Sequence, residues 1–165
     1  MNPPNMLNCL ISINWANLFH IILVYFANMT RINIIPVEEL HDQHLIAEYR
    51  EITMVPAALN RTLKSKVGLD RTKIPANYTL NKGHVYFFYN KGKYLFNRYQ
   101  EIVTEMKKRG FKPDNKRKFP KDIFIHNNLY NDWTPNIEDF KIIRNRIEFK
   151  IKKRPNWYKK TITQK

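Results

Sequence analysis

The sequence predicts an all-α protein: one compact domain of about three to four helices joined by long basic loops. Helix-start signals precede stretches with apolar residues at helical spacing, and glycine or proline ends these stretches. No segment shows the sustained alternation of apolar and polar residues that is typical of a strand, and no internal repeat is visible. The chain has 165 residues, 43% of them hydrophobic, which suffices for the core of a single domain.

The first predicted helix begins at Pro36. Proline suits the first position of a helix, and the two glutamates that follow suit the positive end of the helix dipole. We expect this helix to run to about Ile52. A second helical stretch covers residues 56–67 and ends before Gly68, whereas residues 69–82 have the composition of a loop.

The remaining predicted helices lie in the second half of the chain. Gly83-His84 opens a short aromatic helix, and a longer helix is expected over residues 94–109, where a glycine stops it. Residues 112–135 are rich in proline, lysine and asparagine and have no sustained periodicity. Thr134-Pro135 then caps a last helix that extends to about Lys153, and a nearby proline prevents its continuation.

The first 28 residues differ in composition from the rest of the chain. All 29 Lys and Arg residues and all 14 Asp and Glu residues lie after Met29. The mostly apolar stretch 6–27 fits a membrane anchor, a targeting segment, a helix of the domain, or leader sequence read from upstream of a true start at Met29. Because Asn and His interrupt the stretch and no cationic region precedes it, we expect residues 1–28 to be a non-native leader and residues 29–165 to form the domain. An anchor or targeting segment is the alternative.

The formal net charge of +15 makes a polyanionic partner the main expectation. Lys107–Lys121 holds eight basic residues in fifteen, and Lys141–Lys160 holds nine in twenty and ends near Trp157-Tyr158. Because aromatic side chains stack on displaced bases, we favour nucleic acid over an anionic membrane surface. Solvated helix faces of a basic soluble protein are the plainer interpretation. The single cysteine, Cys9, excludes an intramolecular disulfide and suits a reducing compartment.

The first predicted helix has one side that faces the core, and the last residue on that side is a carboxylate. On a helical wheel, Val37, Leu40, His44, Ala47 and Glu51 fall within an arc of roughly 80°. Glu51 is either solvated at the helix end or held in a pocket, and His44 taken alone is more typical of a structural histidine. No metal-binding motif, glycine-rich phosphate loop or nucleophilic triad is present, so the residues by themselves indicate only a basic, helical, DNA-binding protein.

The last predicted helix carries two cations at the edge of an apolar stripe. Arg146 and Lys150 are four residues apart and therefore share one side of the helix. This placement suits contact with a ligand. The stripe itself consists of Phe140, Ile143, Ile147 and Ile151.

Several short blocks occur in an order that carries a family resemblance. They are Met29-Thr30-Arg31-Ile32-Asn33, Glu39-Leu40, Asp42-Gln43-His44-Leu45, Ala47-Glu48-Tyr49-Arg50-Glu51, Gly83-His84-Val85, Phe87-Phe88-Tyr89, Lys108-Arg109-Gly110-Phe111, Arg154-Pro155 and Trp157-Tyr158-Lys159. In these blocks the chain closely resembles the phage-type pyrimidine-dimer DNA glycosylases, also known as endonuclease V. The blocks span nearly all of residues 29–165, whereas the loops between them diverge.

The resemblance implies an all-helical repair enzyme that cuts the glycosidic bond of a cyclobutane pyrimidine dimer and then nicks the strand by β-elimination. It assigns the nucleophile to the α-amine of Thr30, exposed once the initiator methionine is removed. An α-amine has a pKa near 7.7–8.0, against about 10.4 for lysine, so a useful fraction is unprotonated at neutral pH. The resemblance makes Glu51 the essential carboxylate, which stabilises positive charge at the sugar and assists proton transfers.

The resemblance also implies a DNA-binding surface. Such an enzyme kinks the duplex and expels a base opposite the lesion. The expected partner is double-stranded DNA with pyrimidine dimers or abasic sites, bound by a cytoplasmic monomer of viral or bacterial origin that needs no cofactor or metal. The expected DNA-binding residues are Arg31, Arg50, His44, Arg146, Lys150, Trp157 and Tyr158.

Two departures from the family pattern concern DNA contacts. The family has another arginine three residues after the catalytic carboxylate, where this chain has Met54, and Lys160-Thr161-Ile162 replaces the family's aromatic tail. These departures bear on DNA affinity and lesion preference rather than on the chemistry. The alternatives are a non-catalytic, structure-selective DNA-binding protein and a membrane-tethered basic protein that uses residues 6–27.

Overall fold

The computed structural model describes residues 32–80 and 83–161, and within these ranges every regular element is helical. The predicted all-α fold is therefore confirmed. Among the described residues, four α-helices have ten or more residues, and short 3-10 helices precede α1, lie between α2 and α3, and follow α3. The α-helices are α1 (Asp42–Glu51), α2 (Met54–Leu63), α3 (His84–Phe87), α4 (Gly92–Lys108), α5 (Asp122–His126) and α6 (Ile137–Lys153).

The described residues contain no helix long and apolar enough to cross a membrane. The predicted leader, residues 1–28, lies outside the described residues, as do Thr30 and Arg31.

The start of α1 differs from the prediction. Instead of one helix from Pro36, a 3-10 turn spans Val37–Glu39, the chain is extended at Leu40, and α1 begins at Asp42. The guanidinium of Arg109 donates to the carbonyls of Val37, Glu38 and Leu40 at 3.1, 3.3 and 2.7 Å. A continuous helix would use these carbonyls internally, so the helix starts after them.

The long helix α4 lies at the centre of the fold and packs mainly against α1. Its buried residues Leu95 and Ile102 belong to the same hydrophobic core as Leu45 of α1 and Ile52, which directly follows that helix. The predicted stop of this helix is confirmed, because Gly110 adopts a φ of +82°, which favours glycine.

Two features of the C-terminal half depend on contacts that the sequence pattern did not reveal. The short helix α5 lies inside the segment predicted to be irregular, and its Phe124 is fully buried. Phe124 packs directly on Gly92, where an added Cβ would lie 2.4 Å from the ring. The N-cap of α6 is Asn136, in a capping box with Asp139, rather than the predicted Thr134.

A buried ion pair joins α1, α4 and the segment that precedes α1. Glu48 receives hydrogen bonds from Arg98 at 2.8 and 3.2 Å, and both side chains are almost fully buried. The same carboxylate accepts a bond from the side-chain amide of Asn33 at 2.8 Å, and Arg98 donates to the carbonyl of Ile35 at 2.6 Å. Residues 33–35 are thereby fixed against both helices.

A second network ties the C-terminal segment to the start of α1. The backbone N–H of Asp42 donates to the carbonyl of Lys159 at 2.8 Å. The carboxylate of Asp42 accepts bonds from the backbone and the hydroxyl of Thr161 at 3.0 and 2.8 Å, and from Arg109 at 2.9 Å. These bonds hold residues 157–161 beside α1.

We expect Arg98→Met to lower the free energy of unfolding by about 3–5 kcal/mol, because it leaves the carboxylate of Glu48 buried without its cation. The matched control is Arg144→Met, which removes an ion pair with Glu39 that is well exposed to solvent and should cost at most about 1 kcal/mol. Urea denaturation of the unaltered protein and of the two variants measures both losses of unfolding free energy. Equal losses for the two variants would contradict the role of the buried pair.

Candidate active site

Five of the residues that the sequence analysis singled out line one pocket. The cavity has a volume of about 170 Å³ and lies between α1, the second half of α6 and the C-terminal segment. The five are His44, Glu51, Lys150, Trp157 and Tyr158, and the pocket is completed by Asn33, Gln43 and Ala47.

The pocket face of α1 follows from helical spacing. His44, Ala47 and Glu51 are three and four residues apart, so their side chains lie on one side of the helix, as the wheel predicted. The wheel also included Val37 and Leu40, which lie before the start of α1 and belong to the core.

Glu51 is the last residue of α1, yet it is only 8% exposed. Of the two interpretations that the sequence left open, the pocket is the one observed. A carboxylate removed from bulk water interacts strongly with any charge that enters the cavity, because solvent screening is weak there.

One cation of α6 lies next to this carboxylate and a second lies one turn away. Lys150 lines the pocket and is half-buried, and Arg146, which does not line it, is also half-buried. Burial lowers the pKa of Lys150, the charge of Arg146 lowers this pKa further, and the negative charge of Glu51 opposes both effects. Lys150 therefore interacts with both other charges, and the positive excess suits the binding of a phosphate group.

A stacked aromatic pair forms another wall. The ring of His44 lies against the ring of Tyr158, with centroids 4.5 Å apart and planes inclined by 21°. His41 packs edge-on against both rings. Burial, together with the charge of Lys150, lowers the pKa of His44 to about 4, so the imidazole is neutral at physiological pH. Trp157, beside this pair, is 59% exposed and available for stacking.

Arg50 does not share the pocket wall. It is an exposed residue in the last turn of α1, next to Glu51 in the sequence. Met54, where the family pattern has arginine, is partly exposed at the start of α2.

The first basic region lies beside the C-terminal end of α1, although nothing in the sequence pattern indicated this. Arg117 donates to the hydroxyl of Thr53 at 3.4 Å, and its guanidinium lies over the ring of Tyr49, 5.6 Å from the centroid. The hydroxyl of Tyr49 donates to the carbonyl of Asp114 at 3.2 Å. Cations therefore border this end of α1 from the loop before α5 as well as from α6.

An all-helical, strongly basic fold with a carboxylate pocket bordered by cations has the features of an enzyme that acts on nucleic acid. The comparison with known protein families agrees: the model of the pyrimidine dimer DNA glycosylase family matches residues 29–119. The match covers more than half of the chain, and the chain belongs to this family. Its function is accordingly in DNA repair, on DNA that contains pyrimidine dimers.

The titration of His44 gives the protein a pH-dependent stability. An unfolded histidine binds a proton near pH 6.5, whereas the folded protein resists this protonation down to about pH 4. Stability contributed by His44 is therefore complete above pH 6.5 and is lost as the pH falls through 4. The variant His44→Phe keeps a ring against Tyr158 but cannot take up a proton there. Its free energy of unfolding should therefore fall by about 3 kcal/mol less than that of the unaltered protein when the pH is lowered. Urea denaturation between pH 7 and 4 measures the difference, and parallel pH curves would contradict it.

Proposed function

We propose that this protein cleaves the N-glycosidic bond of cyclobutane pyrimidine dimers through a Schiff base on the α-amine of Thr30, and then nicks the strand by β-elimination. The observation that supports this proposal is that the buried carboxylate Glu51 shares its pocket with Asn33. Asn33 follows Thr30 by three residues, and three residues of chain span at most about 11 Å. Covalent geometry alone therefore keeps the amine in the neighbourhood of the carboxylate.

The chemistry needs only these two groups. The unprotonated amine attacks C1′ of the damaged nucleotide, the bond from C1′ to the base breaks, and the base leaves with a proton. The sugar ring then opens: the C1′–O4′ bond breaks, O4′ takes up a proton, and the nitrogen, having lost a proton, forms a double bond to C1′. This protonated imine acidifies the proton on C2′, whose removal expels the 3′ phosphate and cuts the strand. Glu51 stabilises the positive charge on the sugar during the first step and assists the later proton transfers. Neither a metal nor a cofactor takes part in this scheme.

The charged and aromatic residues around the pocket supply DNA contacts. Lys150 and Arg146 suit contacts with the phosphates that flank the damaged nucleotide. The exposed Arg50 suits contacts with DNA phosphates farther from that nucleotide. The exposed Trp157 offers an aromatic surface for a displaced base, and its neighbour Tyr158 stacks on His44. Arg31, which follows the nucleophile in the sequence, completes the proposed set of DNA-binding residues. The proposed enzyme acts as a monomer.

The mechanism requires Thr30 to be the first residue of the active protein. A residue-30 nitrogen in a peptide bond is an amide and cannot form an imine. Translation from Met29, with removal of methionine before the small threonine, or cleavage of the leader at that point, would expose the amine. We therefore propose residues 29–165 as the glycosylase and lyase domain.

Borohydride trapping tests the nucleophile. Protein that begins at Thr30 should form a covalent adduct with a duplex that contains one cyclobutane dimer, because borohydride reduces the imine to a stable amine. The 1–165 chain should form none. An adduct with both proteins would point to a lysine nucleophile or to processing of the leader, and an adduct with neither would exclude the imine mechanism.

Glu51→Gln tests the carboxylate. This variant should lose about 10²–10⁴-fold in the rate of base release, with DNA binding changed only a few-fold, since the charge acts on the reacting sugar. Glu148→Gln, the same change on the exposed side of α6, is the control and should react like the unaltered protein. If Glu51→Gln released the base at the unaltered rate, the proposed role of this carboxylate would be wrong. Binding without any base release by the unaltered protein would instead indicate a non-catalytic DNA-binding protein.

A further inference from the structure

The main chain of Ile32 is held at both of its polar groups. Its N–H donates to Nε2 of His84 at 3.2 Å, and its carbonyl accepts a bond from the hydroxyl of Tyr78 at 3.1 Å. Ile32 is fully buried, and His84 and Tyr78 are 3% and 4% exposed. Water does not compete for these bonds, so they fix the position and the direction of the main chain at Ile32, in the peptide units before and after its Cα.

The hydrogen bonds define the state of the His84 ring. Nε2 accepts the N–H of Ile32 and therefore carries no proton. Nδ1 lies 2.8 Å from the carbonyl oxygen of Thr79, which can only accept, so Nδ1 carries the proton. The imidazole is thus a neutral, oriented acceptor. The rings of Tyr78 and Phe88 pack edge-on against it, with centroids 5.5 and 5.2 Å away.

The next residue is held as well. The side chain of Asn33 donates to the buried carboxylate of Glu48. Glu48 precedes Glu51 by three residues on the same helix. The segment that begins at Ile32 is therefore attached to the helix that carries the pocket carboxylate and to the loop around residues 78–84.

Few degrees of freedom separate this fixed point from the amine of Thr30. Peptide bonds are planar, so only the ψ and φ angles of Arg31 and the ψ angle of Thr30 lie between the nitrogen of Ile32 and the amine. We propose that His84 and Tyr78 are positioning residues for the nucleophile: by fixing the peptide of Ile32, they limit the volume in which the amine can lie. This inference rests on the proposed function of Thr30. Restricting a nucleophile in this way raises its effective concentration at the reacting carbon.

Paired substitutions separate the hydrogen bond from the fold. His84→Asn keeps a donor for Thr79 but offers no acceptor to Ile32, whereas His84→Gln can bring an amide oxygen close to the place of Nε2. Tyr78→Phe removes a single hydroxyl. The matched control is Tyr89→Phe. The hydroxyl that this change removes bonds to Thr62 of α2 and not to the segment before α1.

The experiment uses protein that begins at Thr30 and a duplex with one abasic site, so that imine formation is measured without base release. We expect the trapping rate at saturating DNA to fall about tenfold to hundredfold in His84→Asn and Tyr78→Phe. DNA affinity and melting temperature of Tyr78→Phe should stay near those of Tyr89→Phe. His84→Gln should recover part of the rate lost in His84→Asn.

The outcomes distinguish this inference from the function on which it rests. No adduct with the unaltered protein would overturn the Thr30 mechanism itself. A normal adduct with the unaltered protein and unchanged rates in Tyr78→Phe and His84→Asn would overturn the positioning role alone. A rate loss in Tyr78→Phe that is matched by Tyr89→Phe, or that appears only as weaker DNA binding, would also overturn it.

Discussion

The carboxylate of Glu48 and the guanidinium of Arg98 meet where water cannot reach either group, and the arrangement of the site depends on this pair. Two buried charges must stay together, because separating them would leave each uncompensated in a medium of low polarity. The pair joins α1 to α4, and its remaining hydrogen-bonding capacity holds Asn33 and Ile35. Glu51 follows Glu48 by one turn of α1. This single helix therefore sets the distance from residues 33–35 to the carboxylate of Glu51.

Arg109 has the corresponding role at the other end of α1. It occupies the carbonyls that would extend the helix backwards and holds Asp42, which in turn holds Thr161. The short α1 is therefore a consequence of one guanidinium, which also orients the carboxylate that binds Thr161. Hydrogen bonds that join Lys159 to Asp42 and Gln43 add to this attachment of the segment that carries Trp157 and Tyr158.

Local signals in the sequence predicted the helices well, and long-range contacts explain what they missed. Gly110 ends α4 through its own backbone preference, so the stop was predictable. The start of α1 depends on Arg109, about seventy positions away, and α5 exists because Phe124 fills the space over Gly92. In the site, helical spacing predicted the shared face of His44 and Glu51, and the roles proposed for them come from the family resemblance. The contacts of Asn33, His84 and Arg117 cross fifteen to more than sixty positions, for which a single sequence carries no signal. Thr30 and Arg31 stay predictions.

The anchoring of residues 157–161 on α1 also orders events during synthesis. The wall that Lys150, Trp157 and Tyr158 contribute to the pocket is made only after α6. The start of α1 also waits for Arg109, because its guanidinium takes up the carbonyls that precede Asp42. In a chain made from its N-terminus, Glu51 is therefore present well before the residues that enclose it.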